Sequence, residues 1–118
     1  MAKAELKKAL DSTDEIELTV TGRKSGHKTS RPVWFIQEGG KVYLLPVKGS
    51  DTEWFKNVLK NPTITVTVNG LKSSAKATPI TDPAKVSEVV EKFRAKYGAG
   101  NVKKYYSKFD VAVEVPLA

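Results

Sequence analysis

The chain has 118 residues, 40% of them hydrophobic and 28% charged, a composition that fits a soluble globular protein with enough length for one cored domain. It holds no cysteine, which excludes disulfides, thiolate nucleophiles and cysteine metal sites and makes the cytoplasm the default setting; no apolar run approaches the ~18 residues of a membrane span. The formal net charge of +7 points to an anionic partner, with nucleic acid, an anionic lipid surface and an anionic cofactor all qualifying on charge alone.

Residues 1–12 read as an N-terminal helical segment. Ala2–Leu10 is lysine-rich and mildly amphipathic, and a packing helix fits it better than contact with a membrane surface. Ile16, Leu18 and Val20 alternate with polar residues, the pattern of a half-buried strand. Asp14, Glu15 and Glu17 crowd its entrance and read as a solvated edge. The acid-free stretch 22–31 follows, with a net charge of +4 against −2 for residues 1–21. It sets Arg23, Lys24, Lys28 and Arg31 on a glycine-punctuated turn. Cations held together on a turn suit an anion with several charges, and Gly22 and Gly26 allow amide N–H groups to converge on it. His27, the only histidine, reads as an exposed loop residue.

Pro32–Gln37 and Lys41–Val47 read as two strands joined across Glu38-Gly39-Gly40. Ser50 or Asp51 can cap a short helix that carries Trp54, Phe55, Val58 and Leu59 at helical spacing, and Asn61-Pro62 stops it. Ile64, Val66 and Val68 alternate strictly. Asn69-Gly70 is the strongest hairpin signal in the chain, because both residues tolerate the positive φ of a type I′ turn. Leu71–Ile80 is the weaker return strand. Asp82-Pro83 opens the best helix, Val86, Val89, Val90, Phe93 and Tyr97 share one face, and Gly98 ends it. Asn101–Lys108 reads as a short helical piece, and Val111, Val113 and Val115 form the last strand. About six antiparallel strands with one long late helix predict a mainly β, α+β fold, a small barrel with helices packed on it.

The segments Gly22–Gly26, Pro32–Phe35, Gly39-Gly40, Lys48-Gly49 and Trp54–Pro62, in that order, resemble the deazaflavin-dependent nitroreductase family. Its members use coenzyme F420 on a split β-barrel related to pyridoxamine phosphate oxidases and FMN-binding proteins. The resemblance covers roughly residues 15–115 and implies one split-barrel domain over 1–118. It implies that Arg23, Lys24 and Lys48 grip the phosphate and polyglutamate tail of the cofactor. Lys28 and Arg31 stand in for a basic residue that family members carry where this chain has Thr29. The implied cofactor-binding set also takes in Ser25, Gly26, Pro32, Trp34, Gly49, Trp54 and Asn57, with Val47 near the reacting ring.

A reduced deazaflavin passes a hydride from a ring carbon, so the cofactor carries the hard step and the protein positions it. That accounts for a sequence with no evident catalytic constellation and no metal-ligating cluster. Tyr106 first, and Tyr105 second, are the candidate proton donors for a small conjugated acceptor. FMN is the alternative cofactor, and a cofactor carrier the alternative to an enzyme. A homodimer follows by analogy with related barrels. The rival class is a basic nucleic-acid-binding barrel with Tyr105 and Tyr106 beside Lys103 and Lys104; charge concentrated in one short turn speaks against it.

Overall fold

The structure, a computed structural model, describes residues 8–38 and 40–116. Of the expected N-terminal helical segment, residues 8–11 are helical (α1), and the remainder up to residue 7 lies outside the described residues. Two four-stranded antiparallel sheets follow. The first has the order β2-β1-β5-β6, built from β1 (Ile16–Thr21), β2 (Lys28–Val33), β5 (Thr63–Val68) and β6 (Leu71–Lys76). The second has the order β3-β4-β8-β7, built from β3 (Ile36–Glu38), β4 (Lys41–Leu44), β7 (Thr78–Ile80) and β8 (Ala112–Pro116). The class is α+β, as expected, and the two sheets do not close into a full barrel.

Eight strands replace the expected six or so because two predicted strands each divide between the sheets. The run read as Pro32–Gln37 ends in the first sheet at Val33 and resumes in the second at Ile36. The run read as Leu71–Ile80 does the same at Ala77, which is 2% exposed and donates its N–H to the Pro62 carbonyl at 2.8 Å. Such corners let one strand serve two packed sheets. Lys28 and Arg31 are a further correction: they belong to β2 and not to the basic turn, which is confined to residues 22–27.

Alternation decides what each face does. Ile16, Leu18, Val20, Ile64, Val66 and Val68 point between the sheets and meet Val42, Leu44, Val113 and Val115 from the other side. The helix α2 (Glu53–Lys60) adds Trp54, Phe55 and Val58 to that core. Leu59, expected on the same face, is exposed. The outer face of the first sheet carries hydroxyls instead, with Thr19 bonded to Ser30 at 2.7 Å and Thr65 to Ser74 at 3.0 Å.

The second sheet is apolar on both faces, which is why β4 reads as a continuous apolar run. Its outer side packs Tyr43, Leu45 and Ala112 against Val86, Val89, Val90 and Phe93 of α3 (Pro83–Tyr97) and Val102 of α4 (Ala99–Tyr105). The Asp82 carboxylate caps α3 by accepting from the Ala84 N–H at 3.2 Å. Asn69 and Gly70, at φ 49° and 79°, form the predicted hairpin turn. Among the described residues no helix is long and apolar enough to cross a membrane.

The corner at Trp34–Phe35 leaves backbone groups without a ladder partner, and Tyr97 supplies one. Its hydroxyl accepts from the Phe35 N–H at 3.0 Å and lies 2.8 Å from both the Phe35 and Asp14 carbonyls, to which it can donate. Burial pushes the Tyr97 hydroxyl up to about 12 from an ordinary 10.0. Tyr97→Phe should cost about 1–3 kcal/mol at neutral pH, because the Phe35 amide loses its acceptor. The raised value also fixes the sign of the pH effect. The Tyr97 contribution is complete below pH 10.0 and is lost as pH rises towards about 12, because the unfolded phenol ionises first. Urea unfolding of both proteins across that window should show a steeper decline for the wild type.

Candidate functional site

Beside the same corner, the end of β2, the segment 45–54 and the end of α4 enclose a cleft of about 660 Å³. That lies within the roughly 300–1,000 Å³ of small-molecule sites. Val33, Trp34, Leu45, Val47 and Trp54 give it apolar walls, and Tyr105 and Tyr106 complete one side. The Trp34 indole lies flat on Tyr97, with ring centroids 4.3 Å apart and planes 8° from parallel. Tyr105 meets it edge-on at 5.5 Å and Tyr106 at a tilt at 5.9 Å. Trp34 takes the cleft wall backed by the helix layer and not the space between the sheets. Trp54 belongs to the inter-sheet core at 3% exposure and borders the cleft as well.

Tyr106 is buried, and Tyr105 is 51% exposed. Desolvation holds the Tyr106 hydroxyl well above the ordinary phenol range, with Tyr97 adding a smaller push in the same direction. It is therefore a group that keeps its proton at physiological pH.

The cleft rim is stitched from two distant segments. The Ser107 N–H donates to the Val47 carbonyl at 2.9 Å, and Lys48 pairs with Lys108 in a parallel bridge. Asp110 accepts from the Ser50 N–H at 2.9 Å and from the Ser50 hydroxyl. Partial desolvation alone would raise the Asp110 carboxyl, but the Ser50 bonds and the Lys108 charge outweigh it and hold it below the usual range. Gly49 sits at φ 56°, and a Cβ there would collide with the Asp110 carboxylate. Gly49 thus does not line the cleft; it makes room for an internal anion. The Lys48 N–H is taken by the buried Thr52 hydroxyl at 2.7 Å.

The basic turn differs from its sequence reading. Three of its amides close on the turn itself, and that of Arg23 reaches α2. The Gly22 N–H donates to the His27 carbonyl at 2.7 Å, the Gly26 N–H to the Gly22 carbonyl at 3.0 Å, and the His27 N–H to the Ser25 hydroxyl at 3.1 Å. Arg23 is engaged too. Its guanidinium donates to Asn57 Oδ1 at 2.8 Å and to Glu53 Oε1 at 2.8 Å, and its N–H reaches Asn57 Oδ1 at 3.1 Å. The Arg23 bond and charge hold the Glu53 carboxyl below its usual range.

The structure therefore separates the expected binding set. Arg31, Pro32, Trp34, Val47, Lys48 and Trp54 line the cleft together with Tyr105 and Tyr106. Arg23, Lys24, Ser25, Gly26, Lys28, Gly49 and Asn57 do not. Register explains the split within β2. Arg31 lies opposite Leu18 and so shares the core-facing side, whereas Lys28 lies opposite Thr21 on the outer side. At the open edge of the sheet, that core-facing side becomes the wall of the cleft. Sequence reasoning missed Glu15, Asp51 and Glu53, three acids that also line it. It likewise missed the pairing of Asp110 with the Lys48-Gly49 turn. The one available signal is the glycine at position 49, a residue type that tolerates positive φ and close approach. Among the described residues, no cluster of His, Cys, Asp or Glu could hold a metal ion.

A family model described as "Uncharacterized protein conserved in bacteria (DUF2255)" matches residues 5–113, and the chain belongs to that family. Its fold is similar to that of an F420-H2 dependent reductase (FDR-A), at 22% identity and a TM-score of 0.67 over 86% of this chain and 93% of that one. A structure described as a domain-swapped dimer aligns at 20% identity and a TM-score of 0.68, covering 96% and 95% of the two chains. A candidate pyridoxamine 5'-phosphate oxidase from Listeria innocua aligns at 15% identity and a TM-score of 0.74, covering 98% and 92%. These likenesses establish the split-barrel fold.

Gly49→Ala should destabilise the protein by about 2 kcal/mol or more, combining positive-φ strain with displacement of a bonded carboxylate. Asp110→Ala should relieve part of that penalty in the double variant, because the collision disappears with the carboxylate. Urea midpoints of the two single variants and the double variant measure the coupling.

Proposed function

We propose that the cleft binds a phosphorylated flavin or deazaflavin, FMN or coenzyme F420, and that the protein is an oxidoreductase acting on a small conjugated acceptor. The observation that carries this reading is a cleft with apolar walls whose lining also holds two cations. Trp34, Leu45 and Val47 offer apolar surface to a planar ring. Arg31 and Lys48 flank the same space and make no salt bridge among the described residues. They suit a phosphate, since Arg can bind it through two parallel bonds and Lys as a point charge. The split-barrel fold, shared with an F420-H2 dependent reductase, supports the same assignment.

A reduced flavin or deazaflavin supplies a hydride from its ring when bound. The residues of this chain would orient and shield it. Trp34 is clamped by three tyrosines, so it can act as a fixed wall at little entropic cost. Val47 contributes an apolar side chain and no hydrogen bond. The Tyr106 hydroxyl retains its proton and can donate a hydrogen bond to negative charge that develops on an acceptor. Tyr105 is the solvent-side alternative. The cytoplasm, the default setting for a chain without cysteine, belongs to this reading. A homodimer belongs to the same reading, supported by the domain-swapped dimer with this fold. Nucleic acid fits less well, because only Tyr105 of the expected stacking pair is exposed.

Arg31→Ala and Lys48→Ala should each weaken FMN or F420 binding by about tenfold, the scale of one charge-assisted bond. Fluorescence titration of the bound ring measures this, and unchanged affinity in both variants would remove the phosphate assignment. Tyr106→Phe should slow acceptor reduction by about 10²-fold if its proton is used in the reaction. Stopped-flow oxidation of the reduced cofactor by quinones, nitroaromatics and enones tests that step. Tight binding with no acceptor reduced above the protein-free rate would replace the enzyme with a cofactor carrier.

A further inference from the structure

The acids that line the cleft bear on which cofactor tail it accepts. Two cations and three carboxylates line the cleft: Arg31 and Lys48 against Glu15, Asp51 and Glu53. Among the described residues Arg31 and Lys48 are the only cations in that lining; Lys24, whose charge also acts on Glu53, stands outside it, and other nearby cations are paired. Arg23 is held by Glu53, and Lys108 by Asp51 and Asp110. Lys56 also faces Glu53, at 3.7 Å. Lys28 stands on the opposite face of β2 from Arg31.

We propose that the site selects a flavin or deazaflavin whose tail ends in a single phosphate, and that Glu53 is the residue that rejects tails carrying further carboxylates. The inference rests on the cofactor-binding reading above. A phosphate monoester carries about −1.5 to −2 at neutral pH, a charge that Arg31 and Lys48 together can balance. Each glutamyl unit added to the tail brings another negative charge to a lining that already holds three carboxylates and no third cation. Reaching Arg23 would require breaking two bonds of 2.8 Å, to Glu53 and Asn57. The released Glu53 carboxylate would then face the incoming one at short range. Glu53 thus acts twice, by neutralising the arginine and by repelling the tail. Such a repulsive element is a common route to specificity between related ligands.

The test is a fluorescence titration of the wild type and Glu53→Gln at low salt. The probes are riboflavin, FMN, and F420 preparations with one or with several glutamyl units. In the wild type, FMN should bind about tenfold more tightly than riboflavin, and affinity for F420 should fall severalfold as glutamyl units are added. Glu53→Gln should raise the ratio of long-tail to short-tail affinity by about tenfold, since the Arg23 charge is no longer neutralised and a like charge is removed. Affinity that climbs with each glutamyl unit in the wild type overturns the proposal, as does a ratio that Glu53→Gln leaves unchanged. In both of those results the rings still bind, so the cofactor reading survives. If no probe binds, that reading falls and takes this inference with it.

Discussion

At Trp34–Phe35 the chain leaves one sheet and enters the other, and no strand neighbour is in place to satisfy its backbone. The Tyr97 hydroxyl serves the Phe35 amide and carbonyl, and the Lys96 ammonium also reaches the Phe35 carbonyl at 2.9 Å. Buried backbone groups without partners cost about 1–3 kcal/mol each, so the corner depends on α3 being docked. The same ring that satisfies Phe35 also stacks on Trp34. One tyrosine therefore fixes both the turn between the sheets and the wall of the cleft. The helix layer is consequently part of the site and not merely a cover for the second sheet.

The cleft's electrostatics follow from what the chain has already paired. A sum over the sequence gives +7, yet the cleft lining carries more acids than bases. Residues 22–31 supply +4 of it, but Arg23 ties the turn to α2 through both its guanidinium and its amide, and the Gly22, Gly26 and His27 amides bond within the turn. Net charge is thus a poor guide to the local field here. What distinguishes Arg31 and Lys48 is their place in the cleft lining, combined with the lack of a carboxylate partner among the described residues.

Much of the architecture is legible in the sequence where a local rule dictates it. Ile16, Leu18 and Val20 alternate because β1 has one core face. Asn69-Gly70 turns because both residues adopt positive φ. Asp82-Pro83 opens α3 because a carboxylate caps and a proline needs no donor there. The features that escape local rules involve long separations. The breaks at Trp34–Phe35 and Ala77 occur inside runs that read as continuous strands, and the Tyr97 contact comes from 62 residues away. The Arg23–Glu53 pair spans 30 residues. A basic residue in a turn gives no sign of whether a distant acid will claim it. For the same reason, residue type alone could not separate Arg31 from Lys28; only their register against β1 does so.

The Lys48-Gly49-Ser50 turn shows how far this pairing goes. A turn with a positive-φ glycine can present its amides to an anion. Here the Ser50 amide is already met by Asp110, a residue of the chain's own last loop. Its lowered carboxyl pKa means that the charge stays in place at physiological pH. The Lys48 amide is likewise used, by Thr52. An anion arriving in the cleft therefore finds side-chain cations and not these backbone donors. The internal carboxylate also joins the loop after α4 to the loop after β4, the two segments that carry Tyr106 and Lys48. The geometry of the rim is thereby set by bonds within the protein before any ligand arrives. Preorganisation of that kind lowers the ordering cost of binding, and it concentrates recognition in the few groups left uncommitted.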